Sequence, residues 1–204
     1  MIGIINYGSG NVQAIANIYK RLNIAAEVVS RTEQLSRAEH IVLPGVGAFD
    51  AVMIQLNNSG LREALDRAVL EDRKPTIGIC VGMQVLAKSS EEGDLPGLGW
   101  IDAKVKKLDA SLLTSKPYLP HLGWNQLEVV RNHPLLENVD PELGFYFLHS
   151  YYFSCNQTED ILTTTNYGGR FTSAVQSGNV FGTQFHPEKS HRNGIEVFRN
   201  FAKL

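Results

Sequence analysis

Two short stretches hold the residue types best suited to covalent chemistry. In Gly78-Ile79-Cys80-Val81-Gly82 a cysteine takes the centre of the small-x-nucleophile-x-small pattern of a nucleophile elbow, where a buried strand turns sharply into a helix. The flanking glycines suit that turn, because the approaching helix leaves no room for side chains. The N-terminus of the following helix would favour a thiolate and offer N–H groups to an oxyanion. A thiol nucleophile needs a base, and the base needs a group to hold its tautomer. Gln184-Phe185-His186-Pro187-Glu188 supplies both: His186 follows a strand, and Glu188 lies two residues on, across a proline that restricts the backbone before it. Each stretch alone also has a plain structural explanation, Cys80 as packing and His-Pro-Glu as a surface turn. Cys155, the other cysteine, stands in no such pattern, and neither do His40, His121, His133 and His191.

These residues need a scaffold, and the apolar periodicity describes one. Ile2–Ile5 reads as a buried strand; Val12, Ile15, Ala16, Tyr19 and Leu22 fall at helical spacing; and residues 24–29 return to extended character. A third strand, residues 40–43, stops at Pro44-Gly45. A helical stretch carrying Leu61, Ala64, Leu65, Ala68 and Val69 then leads to the strand at residues 76–80 that ends on the cysteine. Such alternation predicts an α/β chain with a mostly parallel central sheet and helices on both faces. From Trp100 onward the pattern becomes β-rich, with strands expected near 101–108, 126–130, 145–153, 161–165, 171–176 and 180–184 and a hairpin turn at Ser177-Gly178-Asn179. Ile195, Phe198, Phe201 and Ala202 form one stripe of a closing helix. Met83, Leu86 and Ala87 read as core, and Lys106-Lys107 and Glu91-Glu92 as solvated loop charges.

The chain has 204 residues, 19 basic against 21 acidic, and a net charge of −2, which suits a single domain and gives no long-range pull toward nucleic acid or anionic lipid. No apolar run approaches the roughly 20 residues that span a bilayer, and the start carries no secretory signal, so a cytoplasmic protein is expected. With two cysteines and no His-Glu-x-x-His helix there is no thiolate or zinc-protease pattern, and no metal or cofactor is expected. Gly8-Ser9-Gly10 fails as a dinucleotide fingerprint because Gln13 stands where the third glycine should be.

Taken together, Cys80 in GICVGMQ and the pair His186 and Glu188 in GTQFHPEKS resemble the triad of class I glutamine amidotransferases, whose fold is flavodoxin-like. The segments INYGSGN, LPGVGAF, GICVGMQ, PHLGWN, LHSYYF and GTQFHPEKS follow the order and spacing of one branch of that family. In that branch glutaminase subunits pair as heterodimers with a (β/α)8 cyclase/synthase subunit of histidine biosynthesis. The resemblance implies that L-glutamine is the substrate, that Gln84, Ser150 and Tyr151 hold its amino-acid end, and that an oxyanion is met by N–H groups of Val81 and of the Val46-Gly47 loop. It places Asn11, Trp124, Tyr146 and Lys189 at the partner interface. A peptide between glycines turns over at small cost, so the resting loop is expected to keep its N–H away from the oxyanion. The family usually carries Asp where this chain has Asn6. That leaves open a paralogue feeding a synthase that modifies surface sugars, beside a stand-alone cysteine hydrolase.

Overall fold

The structure, a computed structural model, describes residues 1–113, 119–140 and 142–204. Its first half follows the βα alternation. Strand β1 (Ile2–Ile5) leads into helix α1 (Val12–Arg21), strand β2 (Ala26–Val29), the short helix α2 (Thr32–Leu35) and strand β3 (His40–Gly45). Helices α3 (Phe49–Asn58) and α4 (Arg62–Asp66), the latter running into a π turn at Arg67–Glu71, precede strand β4 (Thr76–Cys80) and the one-turn helix α5 (Val81–Gln84). Every residue of β1 and β4 is buried, as expected of strands covered on both faces.

The second half supplies β5 (Ser89–Ser90), β6 (Ala103–Lys107), β7 (His121–Asn125), β8 (Glu128–Val129), β9 (Phe145–His149), β10 (Tyr151–Cys155), β11 (Ile161–Asn166), β12 (Arg170–Ser177) and β13 (Val180–Thr183), and the chain closes in helix α6 (His191–Phe201). The order β2-β1-β3-β4-β13 is parallel throughout and has the flavodoxin-like arrangement. From β13 the sheet continues antiparallel through β12, β10 and β6, with β11 and β8 branching from β12. The chain leaves β1 toward β2 and leaves β3 toward β4, so the crevice at the carboxyl ends of β1 and β3 is where such sheets bind ligands. The loops at Gly8–Asn11 and Val46–Gly47 and the end of β4 at Cys80 all meet there.

Four departures from the expected elements have physical causes. β3 runs through Pro44 and Gly45, because its pairing with β1 has already ended at Val42, so the missing proline N–H costs no ladder bond. Residues 145–153 are two strands, not one: β9 pairs with β7 in a separate two-stranded sheet, whereas β10 joins the main sheet against β6 and β12. The strand expected at 126–130 shrinks to Glu128–Val129, and its place as a principal strand goes to β7. Lys106 and Lys107 lie on β6 rather than in a loop, with exposed side chains. The turn does fall at Gly178-Asn179, with Ser177 opposite Val180 and Gly178 at φ +56°.

Candidate active site

Cys80 ends β4 with φ +56° and ψ −114°, a region in which a side chain costs about 1–3 kcal/mol. The strain persists because the surroundings fix it. A Cβ on Gly82 would stand 2.0 Å from the Leu43 carbonyl oxygen, and one on Gly78 would stand 2.4 Å from the Gly82 carbonyl oxygen, so α5 lies directly on β3 and β4. Because α5 is a single turn, the macrodipole expected behind the cysteine reduces to the N–H groups of its first residues.

His186 follows β13 and is held from below. Its N–H donates to the Tyr146 carbonyl at 2.9 Å, and the Ser190 hydroxyl donates to the His186 carbonyl at 2.6 Å. Its Nδ1 lies 2.9 Å from Glu188 Oε1, with both side chains almost fully buried, which turns Nε2 away from Glu188. Burial pushes the imidazole's proton affinity down, but hydrogen bonding and charge from Cys80 and Glu188 outweigh it and raise the pKa to about 10. An imidazole so placed keeps its proton through neutral pH while the thiolate is present.

A cavity of about 230 Å³ opens over the cysteine. That is below the roughly 300–1,000 Å³ of drug-sized clefts and suits an amino acid. Cys80, His186, Gln84, Ser150 and Tyr151 line it, as do Val46, Gly47 and Val81 of the expected oxyanion wall. The buried Gln84 amide donates to the Tyr151 carbonyl at 2.9 Å and to Gln184 Oε1 at 3.0 Å, while Gln184 Nε2 reaches Cys80 Sγ at 3.9 Å. The Val46 N–H does not face the cysteine. It donates to Ser9 Oγ at 2.9 Å, and the same hydroxyl donates to the Val46 carbonyl at 2.9 Å. Since a trans peptide points its N–H and C=O in opposite directions, the Gly45 carbonyl lies on the edge away from Ser9.

Glu92, Pro120, Leu148 and His149 also line the cavity and were not singled out from sequence. Glu92, read as a solvated charge, is half-buried against the cavity, and its Oε2 accepts the Phe49 N–H at 2.9 Å. Glu91 does stay exposed, accepting the Lys107 N–H. Of the expected interface residues, Lys189 lines the cavity and sets its ammonium 5.4 Å from the Tyr146 ring centroid. Trp124 stacks on His191 at 5.2 Å and meets Tyr146 edge-on, and Asn11 is exposed at the start of α1 without capping it. Asn6 hydrogen-bonds Ser30 at 3.3 Å and is not part of the cavity wall. Among the described residues no group of three or more His, Cys, Asp or Glu is placed to hold a metal ion, and no helix is long and apolar enough to cross a membrane.

A cysteine on a strained elbow, a buried His–Glu pair and a parallel sheet in the 2-1-3-4-5 order are the marks of class-I glutamine amidotransferases, and the chain belongs to that family, whose pattern, described as "Glutamine amidotransferase class-I", matches residues 3–204. Across its full length it is similar to proteins named imidazole glycerol phosphate synthase subunit HisH. It is 48% identical to that of Leptospira interrogans and 47% identical to that of Bdellovibrio bacteriovorus, each over 204 residues and 100% of both chains. Among solved structures, one described as a glutamine amidotransferase superposes with a TM-score of 0.72 at 21% identity, covering 100% of this chain and 99% of the other. The PurLQS structure from Thermotoga maritima also reaches 0.72, at 17% identity over 99% and 97% of the two chains. At these identities the likeness is one of fold.

Proposed function

We infer that the chain is the glutaminase subunit of an imidazole glycerol phosphate synthase, hydrolysing L-glutamine to glutamate and ammonia for a (β/α)8 cyclase subunit that makes imidazole glycerol phosphate and AICAR ribonucleotide in histidine biosynthesis. The observation that carries this reading is one amino-acid-sized cavity in which Cys80, His186 and the Gln84, Ser150 and Tyr151 wall converge, in a chain similar end to end to subunits of that name. The Cys80 thiolate attacks the side-chain carboxamide carbon, forming a C–S bond. His186 gives its proton to the departing nitrogen, and the C–N bond breaks to release ammonia and leave a γ-glutamyl thioester. His186, now neutral, takes a proton from water, the resulting oxygen attacks the thioester, and glutamate leaves as the thiolate is restored. Glu188 holds Nδ1 throughout.

Both amide hydrogens of Gln84 are committed, so the atom it can offer substrate is Oε1. Glu92 provides a carboxylate for the α-ammonium group, and Ser150 with Tyr151 borders the α-carboxylate end. The oxyanion takes the Val81 N–H and, after the loop turns, that of Val46. The partner docks on the outward face of the β7–β9 sheet, where Leu122 and Leu148 stand opposite each other, as do Trp124 and Tyr146, with Leu122 57% and Trp124 47% exposed. The surface-sugar alternative rested on Asn6, whose bond to Ser30 bears on neither the triad nor this face.

Glutamate release by the chain alone, then with a cyclase subunit and its nucleotide ligand, tests the assignment; no release in either condition would refute it. Ser9 makes a sharper prediction. Ser9→Ala frees the Val46 peptide, so hydrolysis without the partner should rise, by up to the roughly 10²-fold that one oxyanion donor is worth. An unchanged or lower rate would show that Ser9 does not hold the donor back.

A further inference from the structure

In the wall of the cavity beside Tyr151 stands His149, and behind it His121, a buried histidine pair with no part in the triad. His149 Nδ1 is 2.8 Å from the Tyr151 carbonyl oxygen, which can only accept, so Nδ1 carries the proton and donates. Burial, chiefly, pushes the His149 pKa down to about 3 and that of His121 to about 4, so both rings are neutral. His149 Nε2 must therefore accept, and the atom facing it at 3.1 Å, His121 Nδ1, must donate. His121 Nε2 then accepts from Asn125 Nδ2 at 3.2 Å. The Asn125 amide is oriented independently, because its Oδ1 accepts the Gln126 N–H and its Nδ2 also donates to the Asn166 carbonyl. Every ring nitrogen has one role and one partner, and no second set of tautomers satisfies the same contacts.

A buried polar chain of this kind costs desolvation that a pair of apolar side chains would avoid, and what it gives in return is direction. Its direction is toward the substrate. The Tyr151 carbonyl that accepts the hydrogen bond from His149 Nδ1 also accepts one from the Gln84 amide, and Gln84 in turn donates to the Gln184 side chain beside Cys80. At the other end, His121 sits on β7, its ring stacked on Phe147 at 4.8 Å and on Tyr167 at 4.0 Å, on the face of the strand opposite Leu122 and Trp124.

We propose that His149 and His121 are positioning residues for glutamine hydrolysis, fixing the Tyr151 carbonyl and through it the Gln84 amide in the wall that receives the substrate. The inference rests on reading that cavity as the glutamine site. Positioning of a binding wall acts on the concentration at which the site fills, whereas loss of the nucleophile or its base acts on the maximal rate.

The experiment follows Cys80 alkylation in the full chain by a chloroketone analogue of glutamine, as rate against analogue concentration, with thermal melts recorded for every variant. His149→Phe keeps ring volume and removes both nitrogens; its half-saturating concentration should rise roughly tenfold, as expected for one buried hydrogen bond lost with its partner left unpaired, while the maximal rate changes little. His149→Asn returns a donor near the position of Nδ1 and should recover most of that loss. His121→Phe keeps both aromatic stacks and should shift the same constant in the same direction by a smaller factor. A wild-type half-saturating concentration in His149→Phe, a loss lying wholly in the maximal rate, or an Asn variant no better than Phe would overturn the proposal. If His149→Phe does not fold, His121→Phe decides alone, and an unchanged constant there overturns it. Failure of the wild-type chain to be alkylated at Cys80 is a separate result that refutes the glutaminase reading and this inference with it.

Discussion

Cys80→Ser will abolish glutamine-dependent synthesis by the assembled synthase while leaving its ammonium-dependent synthesis intact. The substitution changes one atom, yet a serine hydroxyl in that place has no thiolate form for the imidazolium of His186 to stabilise. Among the described residues that line the cavity, Cys80 carries the only thiol. Loss of a nucleophile costs on the order of 10⁶-fold in turnover in serine hydrolases, and a comparable fall is expected here. The cyclase needs only ammonia, so added ammonium bypasses the defect. A matching loss of ammonium-dependent activity would mean that Cys80 holds the complex together rather than reacting. Cys155 cannot substitute. Burial, and then the charge of Asp160, raises its pKa to about 12, so it stays a thiol. An electrophilic glutamine analogue should therefore modify Cys80 and leave Cys155 untouched.

His186→Ala and Glu188→Ala should be unequal. Removing His186 deletes the group that protonates departing ammonia and later deprotonates water, a loss of about 10²–10⁴-fold in turnover. Removing Glu188 leaves an imidazole without the 2.9 Å contact that aims it, so the ring reaches the thiol for part of the time and the loss is smaller. The sign of the pH effect follows from His186. Its pKa is raised in the folded chain, so the contribution of the charged ring is complete below its ordinary value of 6.5 and is lost as pH rises through about 10, and removing either Cys80 or Glu188 moves that upper limit down. The two variants compared at equal thermal stability decide the matter. An equal loss would show Glu188 doing more than orienting the ring.

The Cys80 elbow and the His186–Glu188 contact were legible in the sequence because their signals are local: glycines two residues either side of Cys80, and a carboxylate two residues from His186. The parallel strands were legible for a similar reason, since strands buried on both faces read as unbroken apolar runs. What escaped depends on contacts distant along the chain. Residues 145–153 carry no glycine or proline at Ser150, so nothing local separates β9 from β10; the separation comes from pairing with β7, which begins 24 residues before β9. Glu91 and Glu92 look alike in sequence, and only the fold puts Glu92 against the Phe49 N–H, 43 residues away, and so beside the cavity. His121 and His149 stand 28 residues apart, and neither neighbourhood hints at the other. The expected helix behind Cys80 shortened to one turn because Val85 to Ala87 turn off to pair their backbone with Leu98, Gly99 and Ile101.

The most direct test of the central claim follows the nitrogen itself. Glutamine carrying heavy nitrogen only in its side-chain amide is given to the chain assembled with a (β/α)8 cyclase subunit and its nucleotide substrate, in a buffer containing ordinary ammonium, and the product is read by mass spectrometry. Hydrolysis at Cys80 with delivery to the partner predicts heavy nitrogen in the imidazole product and its loss in Cys80→Ser. A product built from ordinary nitrogen, with the glutamine amide unconsumed, would contradict it.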